Sequence, residues 1–186
     1  FKKAVSNQLI QFNPAGDLKL PEYTKGTRRS ITDRERQHLY LCYEKDPSYL
    51  LFIVMIECGC RPDEAMNLIG RDIDQKEHFL HIRGTKTKNS DRYVPIPDSL
   101  FAVIKDTKPF EPICPNRQGR KHSESSYTRL YEHLKRDMNI SMGCKTHRNA
   151  LIPPYPLADD FVPYCLRHTY CTDLCKAGID VRTAQR

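Results

Sequence analysis

The chain has 186 residues, enough for one domain with a sizeable core, or for one domain and a remnant of another. Lysine and arginine total 30 against 23 acidic residues, a net charge of +7, so polyanions are favoured partners, although a merely solvated basic face gives the same signature. The longest apolar run, residues 49–56, is far too short to cross a bilayer, so these residues hold no transmembrane segment.

In FKKAVSNQLIQFNP, residues Ala4, Val5, Leu9, Ile10 and Phe12 fall mostly on one helical face, which predicts a short helix stopped at Asn13 and Pro14. A polar linker over residues 15–30 carries Lys19, Lys25, Arg28 and Arg29, able to lie along a phosphate backbone or simply to keep the chain soluble. The compact part begins at a capping box, with Thr32 as N-cap and Glu35 three residues on. Asp46 and Pro47 start a second helix that runs through LLFIVMI, closes near Gly59 and must be central to the core because it is apolar on nearly every side. Arg61 follows, and Pro62 opens a short helix ending near Leu68.

Residues 78–82 and 92–96 read as strands of a hairpin whose tip is the polar run GTKTKNSD, with Pro97 ending the second strand. A helix is expected over residues 98–105, then an extended stretch carrying Pro109, Pro112 and Pro115. Residues 123–138 form an amphipathic helix with Tyr127, Leu130, Tyr131, Leu134 and Met138 on one face. Residues 143–160, rich in proline and without periodicity, are expected as an unusually long loop. The helix bearing Arg167 follows, capped by Gly178, and Asp180 starts a last helix that reads as cut after two turns. With Phe1 in place of an initiating methionine, the chain is expected to be a fragment of a longer protein.

Arg167, His168 and Thr169 stand in a row near a helix start, where backbone N–H groups favour a bound phosphate. Arg61 lies far upstream and Lys86 lies between the two arginines; two guanidinium forks and one ammonium suit a phosphate that is gaining charge. Each has a plainer reading. Arg61 could pair with Glu64 across one helical turn, and Lys86 and Lys88 could be solubilising charges at a hairpin edge. The eight cysteines show no spacing of a disulfide-stapled scaffold and are expected as reduced thiols. Cys171 with Cys175, and Cys144 with His147, have spacings that can hold zinc, but a full site needs four converging ligands, and buried thiols commonly serve as small hydrophobes. No metal or cofactor is expected.

CGCRPDEAMNL resembles the first arginine box of the tyrosine recombinases, the phage-integrase family, with Arg61, Glu64 and Leu68 matching and Cys58 in place of a threonine. GTKTKNSDRYVPIP resembles the family's lysine-bearing hairpin, with Lys86 at the matching position. YCLRHTYCT resembles the second box, where Leu166, Arg167, His168, Thr169 and Thr172 match and Tyr164 stands where the family has histidine. The resemblance covers residues 23–186 and is nearest in look to integrases of phages and conjugative transposons of low-GC bacteria. It implies a mainly helical α+β fold, the DNA breaking-rejoining catalytic core with a small β-hairpin sheet, here truncated at its C-terminus. Residues 1–22 would be the end of an upstream core-binding domain with its linker.

The implied activity is integration and excision of a mobile element by metal-free phosphoryl transfer through a 3′-phosphotyrosyl link. Arg61 and Arg167 would stabilise the phosphorane, and Lys86 would protonate the leaving 5′-oxygen. Tyr164, a poor base near neutrality because a phenol titrates at about 10, could still donate a hydrogen bond to phosphate or lower activity, or it could be a packing aromatic. His168 would support the second arginine. Lys25, Arg28, Arg29, Lys88 and Arg92 are further candidates for DNA contact. The attacking tyrosine is expected beyond Arg186, so this fragment alone should not cleave.

Double-stranded DNA is the implied partner, with a tetramer for the intact enzyme, a monomer for the fragment, accessory DNA-bending or excision factors, and a cytoplasmic, nucleoid-associated bacterial location. Three rivals remain: a non-catalytic or degenerate DNA-binding homologue, a type IB topoisomerase, and a zinc-dependent nucleic-acid module.

Overall fold

The computed structural model describes residues 1–18, 29–84 and 91–179. Lys25, Arg28, Lys86, Lys88 and the helix expected from Asp180 lie outside these residues.

The opening helix is shorter than its apolar spacing predicts. Helix α1, Lys2–Ser6, ends at Asn7, and Gln8 takes a left-handed φ of 56°. No residue of α1 is buried, and Leu9 and Phe12 remain 75% and 72% exposed. With that apolar face left unburied among the described residues, so short a segment does not offset the cost of nucleating a longer helix.

Helix α2, Asp33–Lys45, starts at the expected capping box: Thr32 Oγ1 accepts from the Glu35 N–H, and the Glu35 carboxylate accepts from the Thr32 N–H. Asp46 accepts from the Ser48 N–H at 2.9 Å, starting a single 3₁₀ turn, Pro47–Tyr49, that runs into α3, Leu50–Cys58. Seven residues of α3, Leu51 through Ile56 and Cys58, are buried, as a helix apolar all round requires. Helix α3 lies against α7, Pro163–Lys176, and α2 against α6, Glu124–Ser141. From α6, Leu134 and Met138 enter the core fully, while Tyr127, Leu130 and Tyr131 pack on its edge, so the expected amphipathic face is the one used.

Between these helices come α4, Pro62–Asn67, and a three-stranded antiparallel sheet in the order β1 (Ile73–Asp74), β2 (Phe79–Ile82), β3 (Arg92–Pro95). Leu80 pairs with Val94 and Ile82 with Arg92. The hairpin matches expectation, but β1 does not appear in the sequence reading, because two residues are too few to show alternation. Helix α5, Asp98–Ile104, follows.

The stretch expected to be an irregular loop over residues 143–160 holds a second small hairpin, β4 (Thr146–His147) with β5 (Ala150–Leu151). Its two-residue turn places Arg148 and Asn149 at φ 45° and 65°, the conformation of a type I′ turn. Arg-Asn lacks the glycine that usually announces such a turn, so composition alone reads as loop. Among the described residues the fold is mainly helical α+β.

The second box also closes the fold. Thr169 Oγ1 donates to the Cys165 carbonyl at 2.7 Å and accepts from the Ile31 N–H at 2.9 Å, with its side chain buried. Thr169→Val keeps the shape but leaves the Ile31 N–H unpaired, and a loss of about 1–3 kcal/mol in denaturant-measured stability is expected.

Candidate active site

Two short-range features of the sequence build the site. Gly59 ends α3 in the left-handed conformation, with φ 62°, and leaves its carbonyl to accept from side chains rather than from the helix. Pro62 then sets the first turn of α4, which brings Glu64 back over the Arg61 backbone. The Glu64 carboxylate accepts from the Arg61 N–H at 2.8 Å and from Arg61 Nη1 at 2.7 Å. The pairing that a plain reading of the sequence assigns to Arg61 and Glu64 is therefore present, and it orients the guanidinium.

Two further guanidinium groups reach the same carboxylate from distant parts of the chain. Arg92, on β3, donates through Nη2 to Glu64 Oε2 at 2.9 Å and through Nη1 to Oε1 at 3.3 Å. Arg167, on α7, stands with Nη1 at 3.7 Å from Glu64 Oε2 and donates to the Gly59 carbonyl, which also accepts from Arg92 Nη2 at 3.2 Å. Helix packing of α3 on α7 is what brings Arg167 to a carbonyl 108 residues earlier in the chain.

Exposure is graded across the cluster. Glu64 and Arg92 side chains are 8% and 13% exposed, Arg167 is 27% and Arg61 39% exposed, so the carboxylate forms a floor and Arg61 and Arg167 form the accessible rim. Burial alone would raise the Glu64 carboxyl, but the hydrogen bonds from Arg92 and Arg61 outweigh it and hold the group at about 2. Burial, together with the charges of Arg92 and Arg61, lowers Arg167 from its ordinary value. Among the described residues, three guanidinium charges meet one carboxylate at a partly open surface, an arrangement suited to a dianionic or developing phosphate.

The other expected site residues divide into three groups. Tyr164 is half-buried in the first turn of α7, three residues before Arg167 and so on the same side of the helix. His168 is exposed, and its carbonyl accepts from Thr172 Oγ1. Arg29, expected along DNA, has its guanidinium held by Glu35 at 2.7 Å through two bonds and by Asp160 at 2.8 Å, so it fastens the end of the linker to α2 and to the approach to α7. Arg92, also expected as a DNA contact, sits beneath the rim for the reason given by strand alternation: it shares the inner face of β3 with buried Val94, while Tyr93 points out. Lys25, Arg28, Lys86 and Lys88 are outside the described residues.

The functional part of Gly59 was not legible as such, since the sequence marks it only as a helix end. Its constraint is double. A Cβ there would lie 2.3 Å from Cδ1 of Tyr170, and φ is in the region that L residues avoid. Gly59→Ala should cost about 1–3 kcal/mol by thermal or chemical denaturation, and the same substitution made in a Tyr170→Ala background should cost less, because the clashing Cγ and Cδ1 are gone.

All eight cysteines are free thiols; Cys42, Cys58, Cys60, Cys114 and Cys165 are buried among apolar side chains. Among the described residues no three His, Cys, Asp or Glu side chains gather as metal ligands, and no helix is long and apolar enough to cross a membrane.

Comparison with known proteins identifies a family. The family model described as the phage integrase family matches residues 31–186. Among curated proteins, the tyrosine recombinase XerA of Pyrococcus furiosus is 30% identical over 171 residues, covering 90% of this chain and 55% of its own length. The tyrosine recombinase XerC of Listeria monocytogenes is 29% identical over 136 residues, 73% of this chain and 43% of that one. The chain thus spans about half the length of these relatives. Among solved structures, the Tn1549 transposon integrase in complex with circular intermediate DNA superposes over 100% of this chain and 65% of that one, with TM-score 0.67 and 21% identity. A lambda integrase dimer bound to a COC′ core site gives the same TM-score of 0.67 at 18% identity, again over 100% of this chain and 65% of that one. With both arginine boxes meeting at one carboxylate and the family pattern running from residue 31 to residue 186, the chain belongs to the phage integrase family.

Proposed function

We propose that this chain forms most of the catalytic domain of a tyrosine-type site-specific DNA recombinase, an integrase that inserts and releases a mobile element through a 3′-phosphotyrosyl intermediate. The observation that carries the reading is the meeting of Arg61 and Arg167 at Glu64, with an excess of positive charge at an accessible rim. A phosphate attacked by a tyrosine hydroxyl passes through a crowded, highly charged phosphorane. Guanidinium forks already held in place stabilise it without reorganising as charge develops.

In this reading Arg61 and Arg167 bind the non-bridging oxygens, and Lys86 gives the proton to the departing 5′-oxygen. Tyr164 donates to a phosphate oxygen where the family pattern has histidine, and His168 supports Arg167. The attacking tyrosine lies outside this chain. Residues 1–22 end a preceding DNA-binding domain and residues 23–186 belong to the catalytic one. Duplex DNA is the substrate, as the DNA complexes of the Tn1549 and lambda integrases suggest by analogy. The intact protein acts as a tetramer in the bacterial cytoplasm with accessory DNA-bending factors.

The test uses the full-length protein and a library of nicked random duplexes, from which protein-linked DNA is recovered after detergent denaturation. A covalent adduct through a tyrosine, on a restricted set of sequences, is expected. Binding without an adduct would favour a non-catalytic homologue, the reading that Tyr164 in place of histidine supports. Adducts that relax supercoiled circles but never join two duplexes would favour a topoisomerase.

A further inference from the structure

Arg92 has no place in the chemistry described above, yet it makes the most complete contact with Glu64 of the three arginines after Arg61. A carboxylate offers about four lone-pair positions. Arg61 takes one on each oxygen, through its backbone N–H on Oε2 and Nη1 on Oε1. Arg92 takes one more on each, through Nη2 on Oε2 and Nη1 on Oε1. No acceptor position remains for Arg167, and its Nη1 stands off at 3.7 Å, beyond hydrogen-bond reach, while it bonds the Gly59 carbonyl instead.

That separation matters because Arg167 and Glu64 are oppositely charged and adjacent. Left to themselves, an arginine and a carboxylate at this depth close into a bidentate pair, and a guanidinium so engaged has fewer N–H groups to offer a ligand. Resting on the recombinase reading above for its consequence, we propose that Arg92 is a positioning residue that saturates the Glu64 carboxylate and so keeps the Arg167 guanidinium available for the DNA phosphate. The contribution to the reaction is indirect. Arg92 need not touch the phosphate, and its burial beside Val94 on the inner face of β3 suits that role.

The geometric part is tested by solving the structure of the full-length Arg92→Gln protein. The Arg167–Glu64 contact is expected to close from 3.7 Å to about 2.9 Å. A separation unchanged at 3.7 Å overturns the proposal. The functional part is read from adduct formation and DNA affinity measured together. Arg92→Gln should lower the rate of adduct formation by about tenfold to a hundredfold with DNA affinity changed less than about threefold. Restoring charge with Arg92→Lys, whose ammonium still occupies one Glu64 oxygen, should recover most of that loss.

If Arg92→Gln does not fold, the lysine variant carries both measurements: Arg167 should remain apart from Glu64 and cleavage should stay within a few-fold of wild type, whereas a closed contact with undiminished cleavage overturns the idea. The sign of the coupling separates positioning from simple support. With Glu64 already neutral in Glu64→Gln, adding Arg92→Gln should lower cleavage far less than it does in the wild-type background, and an undiminished loss would count against the proposal. Should the wild-type protein form no adduct while the contact closes in Arg92→Gln, the recombinase reading fails and the positioning role stands.

Discussion

Arg167→Ala in the full-length protein is expected to lower the rate of covalent adduct formation by about 10²- to 10³-fold while leaving DNA affinity within about threefold. The asymmetry follows from what one guanidinium supplies. Affinity for duplex DNA is summed over many phosphate contacts, so the loss of one is small, whereas a phosphorane is stabilised by the few donors aimed at it. Arg61→Ala should behave in the same way, because Arg61 is the more exposed partner at the rim and shares the same carboxylate. Single-turnover cleavage and equilibrium binding on one DNA substrate check both. A parallel fall in binding and cleavage would show that these arginines hold the DNA generally rather than stabilise the reacting phosphate.

The second large effect concerns stability. Glu64 is the anion that permits three guanidinium groups to sit together, and Glu64→Gln removes it while leaving the cations in place. Breaking a buried ion pair from one side typically costs about 3–5 kcal/mol. Linkage gives a figure of the same order. The carboxyl falls from an ordinary 4.5 to about 2 in the folded chain, which corresponds to about 3 kcal/mol. Because the folded-state value is depressed, that contribution is complete above about pH 4.5 and is lost as pH falls toward 2. Urea denaturation at neutral pH should therefore separate wild type from Glu64→Gln by several kcal/mol, and the gap should narrow steadily below pH 4.5. A gap independent of pH would mean that the variant disturbs packing rather than charge.

Local patterns carried much of the fold. The capping box at Thr32 and Glu35, the all-apolar α3, the turn at Gly59 and Pro62, and the single apolar face of α6 each act over a few residues, and each is present as the sequence reads. The misreadings have separate origins. The opening helix stops at Ser6 with Leu9 and Phe12 left exposed, and the β4–β5 hairpin forms in a proline-rich stretch through a type I′ turn that Arg148 and Asn149 do not advertise. Strand alternation could have placed Arg92 on the inner face of β3 with Val94.

The sequence by itself determined the two arginine boxes around Arg61 and Arg167, which are readable as residue types at fixed short spacings. Only the tertiary structure decided how they are arranged: that Glu64 lies under both, that Arg92 fills its acceptor positions, and that the Gly59 carbonyl anchors Arg167. The physical reason is range. Caps, turns and helical faces are fixed by neighbours along the chain, whereas a carboxylate shared among three arginines exists only after α3 has packed on α7 and β3 has paired with β2.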